Sequence, residues 1–108
     1  MKISYRIEEK LRHPAFRAQV AERTESAIAR ASQWLREVTV TVWEETERGP
    51  GETMCRVTGR LHDGRELHVH GADPFPSAAV SRALGTFRRR LFQEVSRRRV
   101  SPMVRGRV

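Results

Sequence analysis

The sequence predicts an α+β two-layer sandwich with the element order β-α-β-β-β-α, a four-stranded sheet carrying both helices on one face. Three observations lead there. Four segments alternate apolar and polar residues with a period of two. Two longer segments carry an apolar stripe at helical spacing. Turn residues separate them. A sheet with one apolar face and helices with one apolar stripe must bury these against each other. A chain of 108 residues has room for a single two-layer core, so one domain is expected.

KISYRI (2–7) places Ile3, Tyr5 and Ile7 on one face and Lys2, Ser4 and Arg6 on the other, the pattern of a half-buried strand. Pro14 suits the first turn of a helix, where its missing N–H costs nothing. From Ala15 to about Leu35 the stripe is Phe16, Val20, Ala27, Ile28, Ala31 and Leu35, with Thr24 its weak point. VTVTVW (38–43) turns Val38, Val40 and Val42 inward and Thr39, Thr41 and Trp43 outward. Gly49-Pro50-Gly51 marks a mobile loop. MCRVTGRL (54–61) then alternates with Cys55, Val57 and Leu61 inside and Arg56, Thr58 and Arg60 outside. The Asp63-Gly64 pair signals a tight hairpin. ELHVH (66–70) returns with Leu67 and Val69 inside and Glu66, His68 and His70 outside.

ADPFPS stops the sheet. Ser77 or Asp73 is placed to cap a second helix, whose seam is Val80, Leu84, Phe87 and Leu91, extended by Val95. Gly85 weakens that helix by roughly 1 kcal/mol relative to Ala. Pro102 is expected to end it. The expected division is a folded domain over residues 1–95 and a flexible basic extension over 96–108.

Charge is unevenly placed. Residues 1–73 hold 12 basic and 12 acidic side chains, whereas residues 74–108 hold nine Arg against Glu94 alone, so the whole net charge of +8 sits in the last third. That asymmetry points to a polyanionic partner. The chain has 19 Arg and 2 Lys, a bias that a GC-rich genome produces unaided; it accounts for the residue type but not for the clustering.

Other function classes find little support. No apolar run reaches the ~18–20 residues of a membrane helix, and MKISYRIEEK lacks the apolar core of a secretory signal. Single Cys55 offers no internal disulfide, which makes the cytoplasm the expected compartment. There is no Gly-x-Ser-x-Gly, P-loop or GxGxxG, so no enzyme activity, small-molecule substrate or cofactor is expected. His68 and His70 share a strand face, but zinc usually needs three or four ligands, and no CxxC or HExxH spacing occurs; no metal is expected. On the open sheet face, Trp43 beside Arg and His residues is an arrangement able to stack bases, though Thr, Arg and aromatics also suit any solvated antiparallel face. The second helix carries the strongest signal. Arg82 and Arg89 share a stripe, Arg88 and Arg90 flank the seam, and Arg97, Arg98 and Arg99 continue the charge. An ordinary solvated helix mixes signs; this one does not, and the planar Arg fork matches phosphate.

These residues also carry a resemblance. ADPFPSAAVSRALGTFRRRL resembles the last-strand-to-helix segment of the ribosome hibernation promoting factors, also called ribosome-associated inhibitors, at Asp73, Ala78-Ala79-Val80, Phe87 and Arg89-Arg90-Leu91. VTVTVWEE and LHVHGAD resemble that family's second and fourth strands. The shared order spans roughly residues 1–95. Ser81 and Gly85 stand where the family has acidic residues, and Thr86 where it has Lys. The resemblance implies a non-enzymatic protein that binds the small ribosomal subunit in the mRNA and tRNA channel and holds idle ribosomes inactive. It also implies a short-type member, without a C-terminal dimerisation domain. The residues expected to meet rRNA are Arg82, Arg88, Arg89, Arg90 and Arg97–Arg99, with Arg56, Arg60, His68 and His70 as sheet-face candidates. Two alternatives stay open: a structured-RNA or DNA-binding domain unconnected with the ribosome, and an interaction module for an acidic protein.

Overall fold

The computed structural model describes residues 1–46 and 51–107, with side chains described through residue 96. Strand β1 (Lys2–Ile7) leads through a 3-10 turn (Glu9–Leu11) to helix α1 (Pro14–Ile28). A second 3-10 turn (Ala29–Ala31) precedes β2 (Leu35–Glu45), β3 (Glu52–Leu61), β4 (Glu66–Asp73) and helix α2 (Pro76–Arg107). The sheet order is β1-β2-β3-β4. β1 lies parallel to β2, as a crossover through α1 requires. The β2–β3 and β3–β4 pairs are antiparallel. This is the β-α-β-β-β-α sandwich expected from the pattern.

The core lies between the inward sheet face and both helices. Val38, Val40, Val42, Val57, Val20, Val80, Phe87 and Leu91 are all essentially inaccessible. The β3–β4 hairpin turns where expected: Gly64 takes φ +92°, a left-handed conformation that suits glycine, and Asp63 Oδ1 accepts the Arg65 N–H at 3.0 Å.

Several boundaries differ from the sequence reading. α1 stops at Ile28 rather than near Leu35. Ala31 and Leu35 are buried as the helical stripe requires, but from the 3-10 turn and the first residue of β2. Leu35 and Val38 both face inward although three residues apart. One slip in register between Leu35 and Glu37 resolves this, leaving Arg36 as the extra residue of a bulge. Thr24 is fully buried, and its hydroxyl donates to the Val20 carbonyl at 2.7 Å, so the weak point of the stripe is satisfied inside its own helix. β4 continues past His70 because Gly71, Ala72 and Asp73 pair with Cys55, Met54 and Thr53.

α2 begins at Pro76, which puts Ser77 inside its first turn. Asp73 accepts the Phe75 N–H at 3.0 Å instead of capping the helix. Nor does Pro102 end α2, whose backbone runs on to Arg107. Proline costs an interior helical position about 3 kcal/mol but keeps a helical φ, so it weakens a helix without forbidding it. Gly49 and Pro50 of the expected loop lie outside the described residues.

α2 sits on the sheet with little clearance. A side chain added at Gly59 would lie 2.4 Å from the Phe87 ring, and one at Gly71 would lie 2.6 Å from the Ala83 backbone nitrogen. Two glycines in β3 and β4 therefore let the helix close onto the strands.

Candidate nucleic-acid interface

The seam of α2 decides where its arginines go. With Val80, Leu84, Phe87 and Leu91 buried, and about 100° of rotation per residue, Arg88, Arg89 and Arg90 fan over roughly 200° of the exposed helix surface. Arg88 leans toward α1. It borders a groove with Glu22, Arg23, Ser26 and Ala27, and its guanidinium lies 6.0 Å from the Phe92 ring centre. Arg89 points outward and donates to Thr86 Oγ1 at 3.3 Å. A second open groove runs along α2 between Gly85, Arg88, Arg89, Phe92, Gln93 and Ser96. All three arginines are exposed, and none is paired with a carboxylate among the described residues.

Arg82 differs from these three. Its Nε lies 3.2 Å from Asp73 Oδ2, which ties the end of β4 to α2. Glu94, the acidic residue of the basic segment, is held by Arg65 Nη1 at 2.7 Å and so faces the β3–β4 hairpin. Arg23 of α1 donates to the Ser77 carbonyl at 2.9 Å and to Ser81 Oγ, joining the two helices. The α2 backbone continues as helix through 97–99, while the side chains of Arg97, Arg98 and Arg99 lie outside the described residues.

The open sheet face sorts into cross-strand rows. Lys2, Glu37, Arg60 and Glu66 form one row of alternating sign. Here Arg60 Nη2 lies 2.9 Å from Glu66 Oε2, and His68 Nε2 lies 3.1 Å from Glu66 Oε1. Arg60, and then His68, hold the Glu66 carboxyl below its ordinary value. The other ring nitrogen of His68 meets Thr58 Oγ1 at 3.2 Å, so both nitrogens are occupied. Two rows away, Arg6, Thr41, Arg56 and His70 lie abreast, and the Arg56 guanidinium sits 5.6 Å from the Trp43 ring centre. Of the four sheet-face candidates, Arg60 and His68 are thus engaged with Glu66, while Arg56 and His70 face solvent beside Trp43. Arg6 stands in the same row, separated from Arg56 by Thr41, and joins this group through the parallel register of β1.

Among the described residues, no three His, Cys, Asp or Glu side chains are grouped to hold a metal ion, and no helix is long and apolar enough to cross a membrane. Burial pushes the Cys55 thiol up to about 12, so it stays protonated and is a poor nucleophile at neutral pH.

No protein-family model and no curated protein matches the chain. Solved structures do share its fold. A ribosomal subunit interface protein from Coxiella burnetii superposes with a TM-score of 0.70 at 13% identity, covering 89% of this chain and 99% of that one. The N-terminal domain of Protein Y from Thermus thermophilus superposes with a TM-score of 0.61 at 18% identity, covering 83% of this chain and 91% of its own. At such identities the likeness is one of fold, and that fold is the one anticipated from the resemblance in the sequence.

Proposed function

We propose that this chain is a non-enzymatic, ribosome-associated protein that grips rRNA phosphates of the small subunit with α2 and occupies the mRNA and tRNA channel of idle ribosomes. The observation that carries this reading is the set Arg88, Arg89 and Arg90. These are three consecutive exposed arginines without a carboxylate partner among the described residues, on a helix seated against the sheet through Phe87 and Leu91. A helix seated on the sheet fixes the backbone positions from which the three guanidinium groups project, so no chain segment has to order on contact. The shared fold supports the assignment of partner, since one solved neighbour is named as a ribosomal subunit interface protein. Arg97, Arg98 and Arg99 would extend the contact along the same helix. Arg82, already paired with Asp73, would contribute less.

Co-sedimentation with small ribosomal subunits tests the reading. Binding should weaken steeply as salt rises, because each phosphate contact releases counterions. Arg88→Ala/Arg89→Ala/Arg90→Ala should weaken it further and flatten the salt dependence. Binding that ignores salt, or that survives the triple substitution, rejects the site. Naked duplex RNA that competes as well as intact subunits would favour a general RNA-binding domain.

A further inference from the structure

We infer that the open face of the sheet is a second binding site, which takes a short stretch of single-stranded RNA with Trp43 as its stacking surface. The inference rests on how the register distributes charge and apolar surface, independently of α2. At one end of the face, Lys2, Glu37, Arg60 and Glu66 alternate in sign across the four strands, so the row carries no net charge, and Arg60 is ion-paired with Glu66. Two rows on, Arg6, Thr41, Arg56 and His70 hold no acidic residue, and none of the three basic groups has an ion-pair partner among the described residues. The next row is apolar: Trp43, Met54 and Ala72 pair in sequence across β2, β3 and β4, all half-buried. Glu8 adjoins that row, but its carboxylate accepts the Glu44 N–H at 3.2 Å and lies 3.6 Å from Lys10 Nζ.

A cationic row beside an apolar row with an aromatic ring is what a single strand requires. Bases stack on aromatic and guanidinium planes, while the backbone follows positive charge. Arg56 serves both needs, lying over the Trp43 ring and within the basic row. Past the apolar row the face closes with exposed Glu45 opposite Glu52, which repel phosphate. The backbone of the strand must therefore run on the Arg6–Arg56–His70 side of Trp43. A duplex keeps its bases inside and gives the ring nothing to stack on, so the site selects unpaired RNA.

The test is a fluorescence titration of the Trp34→Phe protein, in which Trp43 is the sole tryptophan. The probes are a single-stranded RNA decamer, the same sequence as a duplex, and oligoglutamate of matched charge. The single strand should quench Trp43 emission; the duplex and the peptide should not. In the wild-type chain, with a dye-labelled decamer, Trp43→Ala should weaken binding at least about five-fold. Arg6→Ala/Arg56→Ala should weaken it and lower the salt slope by about 0.7 per lost contact. Arg88→Ala/Arg89→Ala/Arg90→Ala should keep the quenching, which separates this site from the α2 reading. Emission unchanged by the decamer, equal quenching by duplex or oligoglutamate, or wild-type affinity in Trp43→Ala would overturn the inference.

Discussion

Helices α1 and α2 cover the same face of the same sheet, yet they differ in charge and in seating. α1 mixes signs, with Arg17, Glu22, Arg23 and Glu25 along it, and Arg23 is spent on holding α2 through Ser77 and Ser81. α2 carries arginine almost alone on its exposed side, and its single acid is turned toward the hairpin by Arg65. Their seating differs as well. α1 rests on the sheet through Val20, Thr24 and Ile28, whereas α2 presses Phe87 toward Gly59 and its own backbone toward Gly71. Concentrated charge goes with the helix held closer to the strands. A cluster of like charges costs repulsion, and close seating keeps such a helix in place.

Substitutions that unseat α2 should have the largest effects. Phe87→Ala removes a fully buried ring and is expected to cost about 3–5 kcal/mol in chemical denaturation. Gly71→Ala should follow at about 1–3 kcal/mol, because the new methyl meets backbone that cannot rotate away. Gly59→Ala gives a sharper test. It should destabilise the chain with Phe87 present and much less in the Phe87→Ala background, where the methyl enters vacated space; additive costs in that double-mutant cycle would dissociate Gly59 from the ring. Gly85→Ala should have the smallest effect and the opposite sign. Only the end of the Arg89 side chain comes within reach of the added methyl, at 3.9 Å. The variant should therefore gain up to about 1 kcal/mol.

Much of this contrast is legible in the sequence. The seam of Val80, Leu84, Phe87 and Leu91 is strictly helical, so the outward placement of Arg88, Arg89 and Arg90 follows from it. The alternation of β2 and β3 likewise puts Trp43 and Arg56 on the open face. What sequence reasoning missed depends on tertiary proximity. Gly59 and Gly71 occur within strand patterns where glycine has no side chain to signal a face, and their role shows only once α2 lies over them. The pairing of Arg82 with Asp73 joins a strand end to a helix turn nine residues later. The early end of α1 was hidden because Ala31 and Leu35 satisfy helical spacing while belonging to a turn and a strand. The alternation of β1 already puts Arg6 on the open face with Arg56, but their place in one row requires the parallel register of β1, which no local pattern carries.

The central claim of the proposed function is that α2, rather than basic charge in general, would make a contact with the ribosome. The direct measurement compares two charge-matched variants by co-sedimentation with small ribosomal subunits over a salt series: Arg88→Ala/Arg89→Ala on α2 and Arg17→Ala/Arg30→Ala on the α1 side. The expected result is a lower affinity and a salt slope reduced by about one unit per lost contact for the α2 pair, with the α1 pair close to wild type. Equal losses in the two variants, or a larger loss in the α1 pair, would contradict the account.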